Sequence, residues 1–65
     1  MIEYTNSRVT EVIDEYIHSE RDRNILKDRY INGLTYEKIS ERHNLSVKQI
    51  RNILCKNEQV LIKHL

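Results

Sequence analysis

The sequence predicts an all-α fold of four helices, the last of them long. Three observations predict it. The 65-residue chain has no proline and a single glycine, Gly33, so helix breakers are scarce. Its apolar residues recur at helical spacing, not in strand-like alternation. Between the apolar stretches stand residues that start and stop helices.

The first helix is expected from Ser7 to His18. Val9, Val12, Ile13, Tyr16 and Ile17 fall at i, i+3, i+4, i+7 and i+8 and form one apolar stripe. Asn6 or Ser7 suits its start. The second should run from Glu20 to Ile31. Ser19 is a good N-cap, and Glu20 and Asp22 complement the dipole of the first turn. Ile25, Leu26 and Tyr30 supply its buried face, and Asn32-Gly33 ends it.

The third helix is short, from Tyr36 to His43. Thr35 caps it, and Leu34 with Ile39 has the spacing of a hydrophobic staple. Asn44, which tolerates positive φ, stops it. The fourth starts at Ser46. Ser46 and Gln49 have capping-box spacing, Leu45 and Ile50 form a second staple, and no breaker follows before Leu65. Val9, Ile13 and Ile17 should pack on Leu54, Leu61 and Leu65.

Composition narrows the function classes. One domain over residues 1–65 is the natural reading of this length. A single cysteine excludes an intrachain disulfide, and Cys55 reads as a small filler residue. His18, His43 and His64 lack the spacing of metal ligands. There is no glycine-rich phosphate loop and no nucleophile with a recognisable base, so neither an enzyme nor a cofactor is expected. No apolar run reaches the roughly 20 residues that span a bilayer. The start Met1-Ile2-Glu3-Tyr4 lacks the pattern of a signal peptide. With the lone thiol, these features predict a cytoplasmic location. Net charge is +1, but it is unevenly spread. Five basic residues meet seven acidic ones up to Gly33, and six meet three from Leu34 onward. A basic half beside an acidic half suggests a face turned toward an anionic partner.

The informative segment is Leu34 to Leu54, LTYEKISERHNLSVKQIRNIL. Two capped, stapled helices about three residues apart must cross at a large angle, the geometry of a helix-turn-helix. Ile39, Leu45, Ile50 and Ile53 should be buried. That leaves Ser46, Val47, Lys48, Arg51, Asn52 and Lys56 facing outward. Arg51 can donate two hydrogen bonds to guanine, and Asn52 can pair with adenine. Gln49 could do the same unless the capping box holds it. Lys48 and Lys56 suit phosphates, and Val47 a thymine methyl.

From Glu20 to Leu65 the chain resembles region four of bacterial sigma factors, the domain that reads the minus-35 promoter element. The resemblance rests on Glu20-Arg21-Asp22-Arg23, Ile25-Leu26, Arg29-Tyr30, Gly33, Leu34-Thr35-Tyr36-Glu37-Lys38-Ile39 and Ser46-Val47-Lys48-Gln49-Ile50-Arg51. It implies that Thr35, Tyr36 and Glu37 touch the DNA backbone at the start of the supporting helix. It implies that Val47, Lys48, Arg51 and Asn52 read bases, and that Lys56 meets the backbone. RNA polymerase is an implied partner. Ser40, His43 and Asn44 depart from the family pattern: His43 replaces an apolar residue and should weaken the core slightly. The region that melts promoters is missing, so the resemblance is to a stand-alone region four.

The expected function is sequence-specific binding of double-stranded DNA by a small bacterial or mobile-element transcription regulator. Two alternatives stand beside it: a module that docks on RNA polymerase or another regulator without reading DNA, and a mobile-element recombination accessory protein. Val60, Ile62 and Leu65 offer spare apolar surface for a homodimer.

Overall fold

The computed structural model describes residues 6–65. The described chain is four helices: α1 (Asn6–Tyr16), α2 (Glu20–Tyr30), α3 (Tyr36–His43) and α4 (Val47–His64). No strand occurs among the described residues. The all-α, four-helix expectation holds, including the long final helix.

Local chemistry sets three of the four starts. The Ser19 side chain accepts from the Asp22 N–H, Thr35 accepts from Lys38, and Ser46 accepts from Gln49. Each bond satisfies a donor that a helix start leaves without an intrahelical partner. The expected cap of α1 does not form at Asn6 or Ser7, which both lie inside the helix. The residue before Asn6 lies outside the described residues.

The two expected stops also hold. Gly33 has φ +70 and Asn44 has φ 56, the left-handed region that ordinary side chains avoid. α1 ends earlier than its apolar stripe suggests. The Ile17 side chain stays buried just past the helix, and its N–H still donates to the Ile13 carbonyl at 3.0 Å. Arg23 Nη1 donates to the Ile17 carbonyl at 3.1 Å, an acceptor that a longer helix would have used internally.

Ten residues make one core: Val9, Val12, Ile13, Ile17, Ile25, Leu26, Ile39, Ile50, Leu54 and Leu61, with Leu65 partly buried against them. The expected union of the α1 stripe with the far end of α4 is therefore present. α4 is the spine of the fold. It packs on α1, α2 and α3, whereas α1 and α3 do not pack on each other. Two expected core aromatics lie at the edge instead. Tyr16 is exposed and stacks on the His64 ring, with centroids 3.6 Å apart and planes 3° from parallel. Tyr30 is also exposed; partial burial, then the nearby Glu58 carboxylate, raises its phenol above the ordinary tyrosine range. Cys55 is exposed, so it fills no gap in the core.

Candidate nucleic-acid interface

The interface begins at the turn. Asn44, Leu45 and Ser46 link α3 to α4, and the left-handed Asn44 reverses the chain within those three residues. The Leu45 N–H donates to the Ser40 carbonyl at 3.1 Å, closing the end of α3. Ile39 and Ile50 are fully buried, while Leu45 and Ile53 are half-buried against the core. These four anchors fix the crossing of α3 on α4, as their spacing predicts.

The crossing leaves one side of α4 open. Ser46, Lys48, Gln49, Arg51, Asn52 and Lys56 are exposed, and Val47 is half-buried. Gln49 is the exception to a free polar face. Its Oε1 accepts from the Ser46 N–H at 2.9 Å, which completes the capping box and commits the oxygen that a bidentate pair with adenine would need. Among the described residues, Lys48, Arg51 and Lys56 make no ion pair, whereas Arg21, Lys27 and Arg42 do. No described carboxylate thus neutralises these cations of α4.

The start of α3 lies at the other end of the same unit. Thr35 and Glu37 are exposed and Tyr36 is half-buried. The Arg29 guanidinium carbon lies 4.8 Å from the Tyr36 ring centroid. Arg29 Nη1 also donates to the Leu34 carbonyl at 3.0 Å. One side chain of α2 therefore holds both the loop and the first ring of α3. Thr35 takes the Lys38 N–H, and a helix start leaves the Tyr36 and Glu37 N–H groups without intrahelical acceptors.

Two buried polar residues support this geometry, and neither stands out in the sequence. Asp28 is only 4% exposed. Its Oδ2 lies 2.9 Å from His43 Nε2 and 3.2 Å from Arg42 Nε, and its Oδ1 accepts from Asn32 Nδ2 at 3.3 Å. His43 is thus no weak point of an apolar core; it is half of a polar lock between α2 and the last turn of α3. Asn57 is buried as well. Its Nδ2 donates to the Ile53 carbonyl at 2.9 Å and to Asp22 Oδ2 at 3.2 Å, tying α4 to the start of α2.

The model of the family described as Sigma-70, region 4 matches residues 19–56, more than half of the chain. The chain belongs to that family. The match takes in the Ser19 cap, all of α2 and α3, and α4 as far as Lys56. No curated protein and no solved structure gives a significant match. This sigma region 4 chain is therefore a helix-turn-helix domain of a DNA-binding family, one that is not an enzyme family. Among the described residues, no helix is long and apolar enough to cross a membrane, and no three His, Cys, Asp or Glu side chains gather as metal ligands.

Proposed function

We propose that residues 1–65 form one sigma region 4-like unit that binds duplex DNA in a sequence-specific way and regulates transcription in a bacterium or a mobile element. The observation that carries this reading is the open side of α4, where Lys48, Arg51 and Lys56 stand exposed and, among the described residues, make no ion pair. Arg51 reads a guanine and Asn52 an adenine in the major groove, with Val47 against a thymine methyl. Lys48 and Lys56 hold phosphates. Thr35, Tyr36 and Glu37 bring the N-terminus of α3 to the DNA backbone, where N–H groups suit a phosphate. Ser46 and Gln49 hold the start of α4 in place through their capping box. The protein acts in the cytoplasm, with RNA polymerase as a partner.

The low net charge of +1 favours a second reading, docking on RNA polymerase or another regulator without DNA contact. Selection of the full chain against random duplex DNA, with binding then measured across a salt series, separates the two. Enrichment of one sequence, with affinity that falls as salt rises, supports DNA reading. Weak binding that is equal on all sequences sinks it and leaves the docking module.

A further inference from the structure

Arg29 is half-buried in the last turn of α2. A guanidinium taken partly out of water ordinarily meets a carboxylate. No described carboxylate pairs with this one. Instead, Nη1 donates to the Leu34 carbonyl at 3.0 Å. The guanidinium carbon lies 4.8 Å from the Tyr36 ring centroid, inside the ~6 Å reach of a cation–π contact. The Leu34 N–H is held as well, by the Asp28 carbonyl at 3.0 Å. Two consecutive residues of α2 therefore fix both peptide groups of Leu34, the residue before the Thr35 cap.

We propose that Arg29 is a positioning residue for DNA binding. By holding the Leu34 carbonyl and the Tyr36 ring together, it sets Thr35, Tyr36 and Glu37 against the duplex backbone without touching DNA itself. The inference rests on the first turn of α3 meeting that backbone.

The other fixed points of the loop lie upstream. The Ile31 and Asn32 N–H groups both donate to the Lys27 carbonyl, and Gly33 turns the chain at φ +70. These contacts set the exit from α2, not the direction in which α3 starts. The next deep anchor of α3 is Ile39, about a turn after its cap. Among the described residues, the hydrogen bond and the ring contact that reach Leu34 to Tyr36 from a side chain of another helix both come from Arg29. The shape of the group matters as much as its charge. A guanidinium can donate from its edge while its face meets a ring, so one side chain makes both contacts at once. A lysine ammonium keeps the charge but is a compact point donor, and it cannot hold the carbonyl and cover the ring together. The start of α4 is fixed separately, by its own capping box. Base reading by α4 is therefore independent of Arg29, and only backbone contact depends on it.

The test titrates the full chain on its selected duplex and on scrambled duplex. It then uses copies of the selected duplex in which single phosphates are replaced, one linkage at a time, by uncharged methylphosphonate. Arg29→Lys should lose about tenfold in affinity on both duplexes, although it keeps the charge. In the scan it should lose its sensitivity at the linkages that α3 meets and keep it at those of Lys48 and Lys56. Arg29→Gln keeps a planar donor without the charge and should give the same altered pattern, which covers a Lys variant that fails to fold. Thermal melts check the fold, and titration well below the melting temperature separates affinity from stability. Unaltered affinity in Arg29→Lys would mean that any cation serves there, as in a direct phosphate contact, and overturns the proposal. A weakened variant that keeps the original scan pattern would show a general loosening of the domain and overturns it too. So does the failure of both variants to fold, which would make Arg29 a purely structural residue. If the unaltered chain binds no duplex, the DNA reading fails and takes the proposal with it; the other three outcomes sink the proposal and leave that reading standing.

Discussion

Arg51 and Lys56 are both exposed on α4, yet DNA should distinguish them. Arg51 is on the second turn, where a helix entering the major groove meets base edges, and Lys56 is more than a turn further on. Arg51→Ala should cost about 1–3 kcal/mol on the selected duplex and little on scrambled DNA. Lys56→Ala should weaken both duplexes alike and reduce the salt slope by about 1. Titrations on both duplexes across salt check this; equal losses for Arg51→Ala would remove it from base reading. Asp28 makes a different kind of claim. Replacing it with Ala strands His43 and one contact of Arg42, at a cost on the order of 2 kcal/mol in urea unfolding. The pair Asp28→Leu with His43→Leu should recover most of the loss, because replacing both partners of a buried hydrogen bond by apolar side chains costs little, whereas stranding one of them does not. Failure of the double variant to exceed the single one would show that the polar contacts themselves are needed. This lock was only half legible. His43 was visible as a polar residue at an apolar position, but a carboxylate on a helix ordinarily reads as surface. The available signal was spacing, since Asp28 falls three residues after the fully buried Ile25.

The helices were legible mainly through their ends. Ser19, Thr35, Ser46 and Asn44 each act where short-range chemistry places them, because a cap is settled within three or four residues. Periodicity was less reliable about extent. It carried α1 through Ile17 to His18, whereas the helix stops at Tyr16 and tertiary contacts keep Ile17 buried. Tyr30 failed for a similar reason: residue type suggested burial, but its position at the end of α2 left it at the edge. The caps lend themselves to a direct experiment. Ser46→Ala removes the bond to the Gln49 N–H and should lower stability by about 1 kcal/mol. Asn44→Ala forces an ordinary side chain into the left-handed region, at about 1–2 kcal/mol, whereas Asn44→Gly should fold as well as the unaltered chain. Urea unfolding of the three variants reads these differences, and an Asn44→Ala chain as stable as the Gly variant would contradict the role given to the turn.

At the scale of the whole molecule, most of the architecture followed from apolar spacing. The uneven charge distribution pointed to the α3–α4 half, and Lys48, Arg51 and Lys56 of that half are exposed and make no ion pair among the described residues. The dependence of that half on α2 was hidden, because Arg29, Asp28 and Asp22 reach α3, the loop before it, or α4 through contacts that only folding creates. One feature of the core also orders the motions of the molecule. α1 commits Val9, Val12 and Ile13 to the centre, whereas α3 commits Ile39 alone. Freeing α1 from the core therefore costs nearly as much as global unfolding, while α3 can open locally at a much lower free energy. Native-state hydrogen exchange should find α3 amides the least protected among the helix interiors and α1 amides protected close to the global limit. Asp28→Ala should lower α3 protection further and leave the ranking of α1 unchanged, and uniform protection across all four helices would refute it. The segment that sets the angle of the recognition helix is then also the one that breathes most readily, so a DNA duplex that holds α3 closed would slow its exchange well before it altered that of α1.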